Sequence, residues 1–318
     1  MKIVVLDGHA LNPGDISWSP IEQYGELTVY PRTLPEEVCL RAKDAEMILT
    51  NKVNITEAHL EQLPNLQYIG VQATGYNVVD LEAARQRGIT VCNIPAYSTA
   101  SVAQMVFALL LAITNRVEHY AEENRKGKWS GNPDFCYRDT PLTELAGKKI
   151  GIVGLGNTGM ATARIALAFG MEVYAYTSKA PHQLGTGIRK TGWDELLCTC
   201  DVITLNCPLT PETRQIINRN ALDKMKREAI LINTGRGGLV NETELAEALD
   251  NERIAAYGAD VLNEEPPAAD NPLLHSRHTF LTPHIAWATR EARLRLMDIS
   301  ADNIRAFING TPQNVVNP

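Results

Sequence analysis

At 318 residues the chain is long for one compact core, and a prior of about 100 to 200 residues per domain points to two. A formal net charge of −7 disfavours nucleic acid or an anionic membrane surface as a partner, and no apolar run approaches the roughly 18 to 20 residues of a membrane span. The apolar run before Asp7 is too short for a signal-peptide core, so a cytoplasmic protein is expected.

In chain order, KIVVLDG, ELTVYP, AEMILTN, LQYIGVQATG and GITVCNIP read as strands of a small α/β unit, with helices in TEAHLEQLP and VDLEAARQRG. One long apolar helix, SVAQMVFALLLAITNRVEHYAEE, then leads to a second unit. From Lys148 onward, KKIGIVGLG, MEVYAYTS, DVITLNCPL, AILINTGRG, IAAYGADVL and HTFLTPHIA alternate with helical stretches, the pattern of a parallel sheet covered on both faces. Asn241 and Glu244 have the spacing of a helix-start cap. The final helix, REARLRLMDISADNIRAFING, is expected to return to the first unit. That makes 1–99 with 290–318 a discontinuous smaller domain and 100–289 a dinucleotide-binding domain. Six scattered cysteines show no disulfide framework and no CxxC pair for a metal, and Cys198 and Cys200 read as core filler at a helix end.

Three glycines, Gly154, Gly156 and Gly159, stand in GxGxxG spacing between a strand and a helix. In that context they predict a tight turn, a close approach of pyrophosphate to the backbone and a helix amino terminus facing the anion. The acid that would accept the adenosine ribose hydroxyls should end the next strand, and the residue there is Thr177. Ser178 and Lys179 could instead bind a 2′-phosphate, so NADP is a candidate beside NAD, with a lean to NADP.

The strand ends NTGRGG, ADVLNEEPP and LTPHIAWAT carry Arg236, Glu265 and His284 toward the ligand crevice. This set suits reduction of a 2-keto acid. Arg236 would grip the carboxylate through a forked hydrogen bond, His284 would protonate the ketone oxygen, and Glu265 would hold the other ring nitrogen. The bland readings are a structural histidine, a solvated Glu264–Glu265 pair and an ion-paired arginine, but their occurrence at successive strand ends of one sheet favours chemistry.

These segments, with NCPLTPETRQIIN and LINTGRGGLVNETELAEAL, resemble the D-isomer-specific 2-hydroxyacid dehydrogenase family over essentially the whole chain. TNKVNIT, YSTASVAQMVFALLL and DFCYRDTPLTELAGK look like its glycerate dehydrogenase, or hydroxypyruvate reductase, branch. The resemblance implies a Rossmann nucleotide-binding domain with a flavodoxin-like substrate domain, catalytic Arg236, Glu265 and His284, and a homodimer built from the long helix and the segment around Trp129. It further implies cofactor contacts from Asn157, Thr158, Cys207, Pro208, Thr213, Thr234 and Asp260, the last to the nicotinamide carboxamide. Substrate contacts would come from Lys52 and from backbone amides of Ala73, Thr74 and Gly75. Thr177 departs from the aspartate that many members carry. Alternatives are a reductase of another keto acid, such as glyoxylate or the D-lactate type, and an NADH-sensing corepressor-like binding protein.

Overall fold

A computed structural model describes residues 1–318, and the chain divides into two compact units, Met1–Ser98 with Trp287–Pro318, and Thr99–Ala286. In the smaller unit, β1 (Lys2–Val5), β2 (Glu26–Val29), β3 (Met47–Thr50), β4 (Tyr68–Val71) and β5 (Thr90–Cys92) pair in parallel in the order β2-β1-β3-β4-β5. This is the flavodoxin-like strand order. Strands β3 and β4 are buried throughout because both faces are covered. Ile48, Ile69 and Val71 pack in one core layer, while Met47, Leu49 and Tyr68 meet Leu296, Met297 and Ile304 of the helix Arg290–Ile308 in the other. That helix starts where the Thr289 side chain accepts the Ala292 N–H. Its Arg293 is buried and binds both oxygens of Asp15 at 2.6 Å, as well as the carbonyls of Leu11 and Ala288. The carboxyl-terminal residues lie along edge strand β5. Val315 bridges Cys92, the Val316 N–H donates to Val91 O, and Asn317 Oδ1 accepts the Val91 N–H.

The larger unit holds seven parallel strands, β6 (Lys149–Val153), β7 (Glu172–Tyr176), β8 (Ile188–Lys190), β9 (Val202–Leu205), β10 (Ile230–Asn233), β11 (Ala256–Ala259) and β12 (Thr279–Leu281). Their order is β12-β11-β10-β9-β6-β7-β8, so the chain winds outward from β6 to one edge and then from β9 to the other. The topological switch lies between β6 and β9, where a doubly wound sheet opens its ligand crevice. The expected Asn241 cap is present, its side chain accepting the Glu244 N–H at 3.2 Å.

Two expectations need correction, and one further strand is present. The stretch 101–123 is not one helix but two, Thr99–Asn115 and Val117–Arg125, bent by 55° at Arg116, which adopts φ 51°. The break falls where the apolar face ends: the first helix buries Val106, Phe107, Leu109 and Leu110, whereas the second buries nothing. Strand β8 is the further one, three residues long and exposed at its last two positions, too short and polar to show a strand pattern. Cys198 is exposed on the helix Trp193–Thr199, and only Cys200 fills the core. No single helix is long and apolar enough to cross a membrane.

Candidate active site

Strand β6 runs into Gly154, which adopts φ 90°, and the helix Asn157–Ala168 begins three residues later. A side chain on Gly154 would press on the Cys207 backbone after β9, at 2.7 Å from its nitrogen, so the turn requires glycine both for its torsion and for this approach. In front of Gly156 a Cβ would meet nothing within 4 Å. The amides of the first helical turn, Asn157 to Gly159, have no acceptor within their own helix and border that open space. Two neighbouring strand ends add polar atoms that are buried and unpartnered, Asn206 Oδ1 after β9 and Thr234 Oγ1 after β10. Buried polar groups are rarely left unpaired, so these residues fit a bound dinucleotide. Cys207 and Pro208 continue from β9, and Thr213 closes their turn by donating its hydroxyl to Pro208 O at 2.7 Å. Burial holds the Cys207 thiol above its usual range.

Thr177 follows β7 directly, and its hydroxyl oxygen accepts the Lys179 N–H at 3.3 Å. Ser178 is exposed. A further cation, which the sequence pattern does not mark, arrives with β8: Lys190 Nζ donates to Lys179 O at 2.7 Å. Its signal was hidden because the strand carrying it is short and polar.

Arg236, Glu265 and His284 follow β10, β11 and β12, which are neighbours in the sheet. Glu265 and His284 are brought together, with Oε2 2.5 Å from Nδ1 and both side chains partly exposed. An ionised carboxylate only accepts, so Nδ1 carries a proton and Nε2 is the nitrogen free to exchange one. Arg236 is exposed, and its Nη1 donates to Gly235 O at 2.8 Å. Its turn is pinned by the fully buried Asn233, which accepts the Gly235 N–H at 3.0 Å and donates to Arg236 O at 2.9 Å. Gly237 is buried, and a Cβ there would overlap the Leu262 carbonyl and the Asn263 nitrogen. That glycine therefore serves a tight contact between the arginine turn and the segment leading to Glu265. The same segment is braced by Glu242, which accepts the Asn263 N–H at 2.6 Å and the Asn271 side-chain amide at 2.8 Å.

Asp260 is 1% exposed. Its Oδ1 accepts from Thr282 Oγ1 at 2.6 Å and Ile285 N at 2.9 Å, and Oδ2 accepts from Ala286 N at 2.8 Å. Burial raises its pKa, against the opposing pull of those hydrogen bonds.

On the smaller unit, Lys52 is exposed and its backbone N–H donates to Asp7 Oδ2 at 2.6 Å. Of the three amides expected to face a carboxylate, that of Ala73 is already bonded to Val71 O at 2.8 Å, which closes a tight turn. The Thr74 and Gly75 amides have no acceptor in the chain.

Residues 107–286 match the model of the D-isomer specific 2-hydroxyacid dehydrogenase NAD binding domain. The chain is 49% identical to a hydroxypyruvate reductase of Blautia hydrogenotrophica, with both chains covered completely. It is 41% identical to a glycerate dehydrogenase of Methylorubrum extorquens, over 99% of this chain and 98% of that one. Among solved structures, an acyclic imino acid reductase in complex with NADPH and D-Arg superposes with a TM-score of 0.86 at 32% identity, covering 99% of this chain and 100% of that one.

Proposed function

The chain belongs to the D-isomer specific 2-hydroxyacid dehydrogenase family, and on that footing we propose that it reduces hydroxypyruvate to D-glycerate, with His284 as proton donor. The observation that carries the assignment is the 2.5 Å pair of Glu265 with His284 Nδ1, at strand ends beside that of Arg236. When bound, the nicotinamide supplies the hydride to the carbonyl carbon. Arg236 binds the substrate carboxylate with its guanidinium fork, which orients the ketone. His284 delivers a proton from Nε2 to the ketone oxygen, and in the reverse direction takes it back. Glu265 keeps the ring in the tautomer and rotation that aim Nε2, and stabilises the charged imidazolium.

Gly154, Gly156, Asn157, Thr158 and Gly159 would hold the pyrophosphate, and Cys207, Pro208, Thr213 and Thr234 the nicotinamide half. NADPH is favoured over NADH because no carboxylate ends β7 and Lys190 reinforces the positive charge near Lys179. The roles of Lys52, Ala73, Thr74 and Gly75 in substrate binding rest on family resemblance. A homodimer is supported by the exposed apolar side chains of Val117, Trp129, Phe135 and Leu142.

The test follows oxidation of NADH and NADPH by absorbance with hydroxypyruvate, glyoxylate and pyruvate. Hydroxypyruvate should give the highest kcat/KM, and His284→Ala should lower kcat by about 10² to 10⁴ with nucleotide binding retained. An equally active His284→Ala variant would refute the mechanism, and no turnover with any keto acid would refute the activity.

A further inference from the structure

One residue of the large unit is bonded more heavily to the histidine loop than any contact with a nicotinamide would require. Asp260 follows β11 directly and is tied to β10 by its own N–H, which donates to Asn233 O at 3.0 Å. From this anchored, fully buried position it reaches both ends of the segment 282–286. Thr282 Oγ1 lies on Oδ1 at the near end, and the Ile285 and Ala286 amides lie on Oδ1 and Oδ2 at the far end. His284 sits between them, and its own N–H donates to the Asp260 carbonyl at 2.8 Å. Main chain and side chain of one residue thus bracket the histidine from four directions.

The bracket has a conformation to enforce. His284 adopts φ 54°, a left-handed geometry that a residue with a Cβ rarely takes and that persists only where the surroundings over-determine it. Pro283 contributes no N–H to the loop, so the holding bonds must come from its neighbours. Apart from Asp260, Ser101 Oγ holds the loop through Ala286 O at 2.5 Å.

We propose that Asp260 is a positioning residue for His284, fixing with Thr282 the loop that aims the imidazole, and that this loop contact is its principal contribution to the reaction. The inference rests on the reading of His284 as proton donor. Asp260→Asn keeps the volume but replaces one acceptor oxygen with an NH2 group that must face the Ala286 N–H or the Thr282 and Ile285 donors. The bracket then opens at one end, and a displacement of about 1 Å at the reacting groups costs on the order of 10² in rate.

The experiment compares wild type, Asp260→Asn, Thr282→Val, Thr282→Ser and His284→Ala for kcat, KM for hydroxypyruvate, NADPH Kd by fluorescence titration, and Tm. Asp260→Asn should lose about 10²-fold in kcat, measured well below its Tm, while KM and NADPH Kd stay within about threefold. Thr282→Val should lose about tenfold in kcat, and Thr282→Ser should recover it because the hydroxyl is restored. A deficit of Asp260→Asn that appears in NADPH Kd would make the residue a nicotinamide contact and overturn the proposal. So would a kcat within threefold of wild type. Should Asp260→Asn fail to fold, the threonine pair decides, and Thr282→Ser as impaired as Thr282→Val would count against the bracket. An active His284→Ala removes the proton-donor reading and this inference together; an inactive one beside an active Asp260→Asn removes this inference alone.

Discussion

Replacing Gly237 with alanine isolates the contact between the arginine turn and the Glu265 segment. Gly237 does not have a positive φ, and a glycine-to-alanine change at a backbone without that restriction ordinarily stabilises a protein by about 0.4–1 kcal/mol. Here the added methyl would fall on the Leu262 carbonyl and the Asn263 nitrogen, both backbone, and restoring an ordinary 3.4 Å contact requires them to retreat by more than about 1 Å. Overpacking of this kind costs about 1–3 kcal/mol, which reverses the default sign. For a unit of this size, Tm should fall by roughly 2–10 °C. The displaced segment carries Glu265, so the aim of His284 degrades and kcat should drop about 10²-fold. The glycine turn after β6 lies two strands away from β10, and NADPH Kd should therefore remain near that of wild type. Steady-state reduction of hydroxypyruvate, fluorescence titration of NADPH and a calorimetric scan supply the three readings. Wild-type kcat together with an unchanged or raised Tm would refute a rigid contact at Gly237.

Thr177→Asp should move the ratio of kcat/KM for NADPH over NADH downward by about tenfold or more, since a carboxylate repels the 2′-phosphate and accepts from the free ribose hydroxyls; an unchanged ratio would place the 2′ group elsewhere. Asp15→Asn tests a pH-linked contribution. The Arg293 guanidinium holds the Asp15 carboxyl below its ordinary value of 3.8, so the unfolded chain binds more protons than the folded one between those two values. The contribution is complete above the ordinary value and disappears as pH falls through the folded one. The variant should therefore melt below wild type at pH 6 to 7, with the gap closing as pH falls below 3.8. A gap constant over that range would mean that packing, not the ion pair, is being measured.

All strands but β8 were legible because parallel strands covered on both faces are buried throughout, as β3, β4, β9 and β10 are, and so read as mainly apolar runs. The placement of Gly154, Arg236, Glu265 and His284 could be read because each follows a recognisable strand. What escaped depends on partners distant in sequence. Nothing local in IRK marks β8 or points to Lys190, and the first-turn acid Glu242 looks like an ordinary solvated charge until its bond to Asn263, 21 residues away, is seen. The break at Arg116 lies within a pattern that is helical on both sides, and only the change from buried to exposed faces explains it. The Ala73 amide is consumed by a turn that the sequence does not specify.

The pairing of residues 314–317 against β5 has a bearing on how the protein can be handled. An outermost strand with open amides is a template for another molecule's strand, and here residues 314–317 of the same chain occupy that place. Trimming the last few residues, or pulling on them through a fused partner, would uncover Val91 and Cys92 along a buried-type apolar strand. Affinity handles therefore belong at the other terminus, where they leave this seal untouched.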